Sequence, residues 1–196
     1  MIHNAPRNAM VLALIINLIM IGADLTYGLM MNSASLLGDA ANNSGDAFIF
    51  LVSVIVLSSS TVIKNRVALL KGIIMLAFSV WAFYHVYLGI IGLSWLSGGI
   101  VTAVGLLSLI GNSTVAVMMY KHQDKDLNFK SAFICCRNDA IASLGVVLAG
   151  ILVWVSNSHW PDIIIGAIIA GIACWGGTTV IRLSILGLNK PKDDCC

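Results

Sequence analysis

Six apolar stretches, at about 8–31, 36–63, 67–93, 99–120, 129–155 and 161–188, are separated by short polar or turn-forming breaks. Each exceeds the roughly 20 residues that cross a hydrocarbon core about 30 Å thick. Lipid offers a backbone no hydrogen-bond partners, so an open segment spans it only as a helix bonded within itself. The pattern predicts an all-α, polytopic membrane protein, a bundle of six transmembrane helices. With 59% hydrophobic residues, 10% charged residues and a mean hydropathy of +0.94, the chain lacks the polar surface of a soluble domain. The first stretch follows Arg7, is too long for a signal-peptide core and shows no small-residue cleavage pattern after it, so it is expected to stay as a helix.

Orientation follows from the cations. Arg7, Lys64, Arg66, Lys71, Lys121, Lys125, Lys130, Arg182, Lys190 and Lys192 all fall toward the N-terminal, even-loop and C-terminal side. The odd loops, around 32–35, 94–98 and 156–160, contain no Lys or Arg. The positive-inside rule places both termini in the cytoplasm. Residues 1–188 then form one membrane domain and 189–196 a short cytoplasmic tail. The net charge of +2 is dispersed and builds no basic face for nucleic acid. The five cysteines, adjacent in two cases and odd in number, read as reduced thiols.

Against this background the stretch from Leu36 to Phe48 stands out, with two carboxylates and two amides in an apolar segment. A charge at bilayer depth costs about 2.5 kcal/mol or more, so it persists where it meets a partner, a cavity or an ion. On a helix Asn42 and Asp46 are i and i+4, on one face, with Asp39 a turn earlier. Cys135 and Asp139 repeat the i, i+4 spacing in the fifth stretch. The second stretch enters from outside and the fifth from inside, so Asp46 and Asp139 each lie about 15 Å deep at 1.5 Å per residue. Two antiparallel helices can thus offer four mixed O and S ligands at one level, a set suited to a tetrahedral divalent ion of borderline softness. Metal binding to such carboxylates and a thiol releases protons.

Plainer roles compete for each residue. A lone intramembrane Asn or Asp is often an interhelical hydrogen-bonding group, a role that suits Asn17 and Asn43. Asp24 fits either such a bond or an outer vestibule or proton-relay carboxylate, and Asp39 the outer access route. A cysteine in a helix is usually a small hydrophobe, which covers Cys136 and Cys174. His85 sits among aromatics as a core histidine, and Arg137 projects away from the ligand face and snorkels toward the cytoplasm. The tail residues Cys195 and Cys196 have the chemistry to capture a soft ion. Glycines and alanines at 166, 170, 171, 176 and 177 allow close helix approach.

The same residues resemble the cation diffusion facilitator family of metal transporters. The run from Ser33 to Asp46, SASLLGDAANNSGD, is similar to that family's helix 2 pattern S-x-A-L-L-A-D-A-x-H-x-x-x-D. The run from Asn138 to Gly150, NDAIASLGVVLAG, is similar to its helix 5 pattern G-D-A-x-x-S-x-G-V-x-x-A-G, and Trp160-Pro161-Asp162 to the start of its helix 6. The resemblance implies no enzyme and no cofactor, but a transporter whose cargo, a divalent metal ion with Zn²⁺ foremost, binds at Asn42, Asp46, Cys135 and Asp139. It implies exchange for protons by alternating access, in a homodimer set in the bilayer of a plasma or inner membrane. Asn and Cys stand where Asp or His is usual. The thiolate favours Zn²⁺ and Cd²⁺, while the amide also admits Co²⁺, Mn²⁺ or Fe²⁺. Family members commonly carry a cytoplasmic metal-binding domain after helix 6; the eight residues here cannot build one, so the dimer is expected to form through membrane helices. Two rivals are a non-transporting receptor or regulatory relative, and an intramembrane aspartyl protease, whose G-x-G-D signature this chain lacks.

Overall fold

The structure, a computed structural model, describes residues 4–55, 61–121 and 127–188. The tail with Cys195 and Cys196 lies outside the described residues. Six helices appear as expected: α1 (Asn4–Met31), α2 (Ala34–Ile55), α3 (Thr61–Ile90), α4 (Gly98–Tyr120), α5 (Leu127–Ser156) and α6 (Trp160–Leu188). The described residues contain no strand. Among the described residues, five of the six are long and apolar enough to cross a membrane. The exception, α2, carries Asp39, Asn42, Asn43 and Asp46, and lipid would be a poor solvent for it.

Packing resolves that difficulty. Among the described residues α2 is the helix that touches all five others, while α1, α4, α5, α6 and α3 follow one another around it. Every residue from Met31 to Asn43 is buried. The outer faces instead carry large apolar side chains such as Ile110, Ile141, Trp175 and Leu183, each more than 60% exposed and suited to lipid. Trp95, Trp154 and Trp160 gather at the odd-loop end, where aromatic rings favour the membrane interface. Inside, one apolar cluster around Met10, Phe50, Val115 and Met119 fills the even-loop half. Another, around Leu36, Val101, Val146 and Ile169, fills the odd-loop half.

The sharp ends of α1 and α3 have a local cause. Asn32 and Gly92 adopt left-handed backbone, φ 53° and 84°. Ser33 N donates to Gly28 O at 2.9 Å and Leu93 N to Leu88 O at 3.1 Å, the six-to-one bonds of Schellman caps. The two caps are tied together by Trp95 N donating to Met31 O at 2.9 Å and by Asn32 Nδ2 donating to Leu93 O at 3.3 Å. His85 Nδ1 bonds Asn32 Oδ1, so this histidine is the hydrogen-bonded core residue its setting suggested.

Small residues on α6 act unequally. A Cβ on Gly166 would lie 2.6 Å from both Ala34 Cβ and Ser35 N, so here α2 and α6 meet backbone to backbone. Gly177 approaches α3 at Gly72 O, 3.1 Å from its Cβ position, whereas Gly171 has nothing within 4 Å. Gly166→Val is therefore expected to destabilise the bundle by at least the about 1–3 kcal/mol typical of overpacking. Thermal melting in detergent micelles checks this, with Gly171→Val expected to melt like the parent.

Candidate metal site

Halfway along α2 and α5 the two acidic faces meet. Asp46 lies twelve residues from the start of α2 (34 to 46) and Asp139 twelve from the start of α5 (127 to 139), about 18 Å along each axis. Because the helices run oppositely, equal advance brings the two carboxyls to one level, and Asp139 comes within hydrogen-bonding reach of Asp46. Asn42 is buried one turn before Asp46 on the same face of α2. Cys135, partly buried, lies within electrostatic range of Asp46, Asp139 and Lys71.

Two further groups enter from positions that spacing alone does not mark. Lys71 of α3 is buried and its Nζ stands 3.3 Å from Asp46 Oδ1, an ion pair with both side chains less than 10% exposed. The lysine stem reaches it past Gly45, where a Cβ would lie 3.2 Å from Lys71 Cε and 2.6 Å from Met75 Cγ. Cys136, within the apolar cluster of Phe50 and Met119, turns its Sγ to 3.5 Å from Asp46 Oδ2. The sulfur in contact with Asp46 is thus that of Cys136, with Cys135 close by. Lys71 serves the bundle interior as well as topology, and Cys136 is both a packing residue and a partner of the carboxylate.

The arrangement is an anionic centre with two thiols and one tethered cation. Two carboxyls this close repel when both are ionised, and the Lys71 ammonium offsets part of that repulsion. Among the described residues, no three His, Cys, Asp or Glu side chains are gathered tightly enough to hold a metal ion as they stand.

The other residues singled out by sequence fall in four places. Asp24 and Asp39 join a separate buried network with Asn43, nearer the odd-loop end, so Asn43 is an interhelical hydrogen-bonding group. Asn17 donates to Ala13 O at 2.9 Å within α1, as a packing polar group does. Arg137 is exposed on the outside of α5, away from Asp139. Asp162, marked in sequence only as part of the helix 6 motif, is fully buried against the first turn of α2.

The sequence profile of the cation efflux transmembrane domain matches residues 10–188. A cadmium, cobalt and zinc/H(+)-K(+) antiporter of Bacillus subtilis (strain 168) is 24% identical over 201 residues, covering 93% of this chain and 65% of that protein. The chain thus spans just under two thirds of that relative's length. A match over nearly every described helix, on a multi-pass bundle built around α2, leads to one conclusion: the chain belongs to the cation efflux family, the cation diffusion facilitators.

Proposed function

We propose that this membrane protein exports a divalent transition-metal cation from the cytoplasm, with Asn42, Asp46, Cys135 and Asp139 as its ligands. The observation that carries the proposal is the meeting of Asp46 and Asp139, from antiparallel helices, inside the bundle and beside two thiols. Carboxylate and thiolate together suit Zn²⁺ or Cd²⁺ ahead of Co²⁺, Mn²⁺ and Fe²⁺. In this scheme the arriving ion displaces the Lys71 ammonium from Asp46 and releases protons from the site. The bundle then opens toward the odd-loop side, and returning protons, with the ammonium falling back onto Asp46, expel the ion. Exchange for protons, a homodimer formed through the membrane helices, and residence in a plasma or inner membrane complete the proposal.

Vesicles containing the reconstituted protein and a metal-sensitive dye test it. Added Zn²⁺ or Cd²⁺ is expected to give a saturable dye signal with an opposing proton flux. Silence for all five metals would instead favour a non-transporting relative. Cys135→Ser exchanges a soft ligand for a hard one and is expected to lower Cd²⁺ transport relative to Mn²⁺ by about tenfold, the lower end for weakening a metal site. An unchanged Cd²⁺ to Mn²⁺ ratio would remove Cys135 from the ligand set.

A further inference from the structure

Cys135 and Cys136 occupy the turn of α5 before Asp139, and residues three or four apart on a helix share a face, so both thiols flank that carboxyl. Their settings differ. Cys135 is partly buried, whereas Cys136 has 0% exposure and turns its Sγ toward α2, 3.5 Å from Asp46 Oδ2. The Lys71 ammonium stands on the other oxygen of the same carboxyl, Oδ1. Asp46 thus meets a cation on one oxygen and a sulfur on the other.

Packing alone does not account for that sulfur. The pocket around Cys136, formed by Met10, Ala13, Phe50, Val115 and Met119, is apolar, and an apolar side chain of similar size would fill it without facing an acid. A neutral thiol is a weak hydrogen-bond donor and so a poor counterpart for a buried carboxyl, but a thiolate is a strong ligand for a soft cation. The spacing itself points the same way. A tetrahedral Zn²⁺ with bonds of about 2.3 Å to sulfur and about 2.0–2.2 Å to oxygen holds those two ligand atoms about 3.5–3.7 Å apart. Cys136 Sγ and Asp46 Oδ2 already stand at that separation.

We propose that Cys136 is a further ligand of the transported ion, so that two sulfurs, from Cys135 and Cys136, select a soft dication, Cd²⁺ ahead of Zn²⁺ and both ahead of Co²⁺ and Mn²⁺. This rests on Asp46 and Asp139 being the metal centre, and it adds the residue that decides how soft the cargo is. Each sulfur gives up its proton to water as it bonds the ion. Lys71, within electrostatic range of Cys135 and Asp139 as well as paired with Asp46, offsets part of the negative charge that a second thiolate brings.

Cd²⁺ titration of the full chain in detergent micelles tests it, because each Cd–thiolate bond adds to an ultraviolet charge-transfer band. Cys174→Ala, Cys195→Ser and Cys196→Ser silence the remaining thiols in every sample. The band is expected to fall by roughly half in Cys136→Ser, by a similar share in Cys135→Ser, and to vanish when both are changed. In reconstituted vesicles Cys136→Ser, which keeps a donor toward Asp46 and loses only the sulfur, is expected to lower Cd²⁺ flux relative to Mn²⁺ by about tenfold. Should the serine variant not fold, Cys136→Ala, apolar like its surroundings, replaces it with the same expectations. A band that Cys135→Ser abolishes and Cys136→Ser leaves whole overturns the role of Cys136 while sparing the metal centre, as does a parental Cd²⁺ to Mn²⁺ ratio in Cys136→Ser. A chain that gives no band with all of Cys135, Cys136, Asp46 and Asp139 in place overturns both.

Discussion

Asp46→Asn is expected to abolish metal efflux, a loss beyond the about ten- to hundredfold that follows removal of a group merely supporting a ligand. Asp46 is the residue on which the centre converges: Lys71 Nζ stands 3.3 Å from one carboxyl oxygen and Cys136 Sγ 3.5 Å from the other, with Asp139 in hydrogen-bonding reach. Asparagine keeps the shape and removes the charge that would hold a dication. It also strands Lys71, and breaking a buried pair from one side typically costs about 3–5 kcal/mol. A lost flux in the single variant could therefore reflect a lost fold.

The double variant Asp46→Asn with Lys71→Met separates the two effects. Removing both charges leaves no ammonium without its carboxylate partner, and methionine follows the path of the lysine stem past Gly45. Melting in micelles is expected to return toward that of the parent, while dye-reported metal flux stays absent. Lys71→Met alone leaves the ligands in place and takes away the competing cation. Metal is then expected to bind more tightly and leave more slowly, with apparent affinity rising while maximal flux falls. Parental flux in the double variant would show that Asp46 is no ligand.

The helices were legible because hydropathy is a local property, and the opposed depths of Asp46 and Asp139 followed from counting residues along two antiparallel axes. Asn32 and Gly92 close their helices with backbone conformations that their residue types favour. Contacts across helices were less legible. Lys71 looks like one more cytoplasmic cation when charges are counted by loop, yet it sits ten residues inside α3 (61 to 71) and reaches Asp46 because Gly45 leaves room for its stem. The i, i+4 rule selects Cys135 with Asp139, but it describes one helix in isolation; how α5 crosses α2 decides that Cys136 also faces Asp46. Asn112 and Ser143 carry no spacing signal at all, since their partners lie on other helices.

Asp162→Ala is expected to cost at least about 3 kcal/mol, because it leaves several buried donors without an acceptor at about 1–3 kcal/mol each. A helix begins with unpaired N–H groups, and α2 begins inside protein, where no water reaches them. Asp162, from the first turn of α6, takes Ala34 N at 2.7 Å, Ser35 N at 3.3 Å, Ser33 Oγ at 2.6 Å and Ser35 Oγ at 2.5 Å. Its charge also opposes the positive end of the α2 dipole. Ser33 and Ser35 belong to one sequence motif and Asp162 to another 129 residues from Ser33, so the cap joins two ends of the chain. The joint fixes where α2 starts, and hence the register of Asp39, Asn42 and Asp46 within the bundle. Asp162→Asn retains one acceptor oxygen but turns an amide toward the remaining donors, so it should fall between the parent and alanine in melting temperature. It should also slow metal flux while still folded, because α2 can then shift against α5. Combining it with Ser33→Ala and Ser35→Ala should give losses smaller than the sum of the single changes, as residues sharing one network do. Strict additivity, or parental melting of the alanine variant, would show that the start of α2 is held by something else.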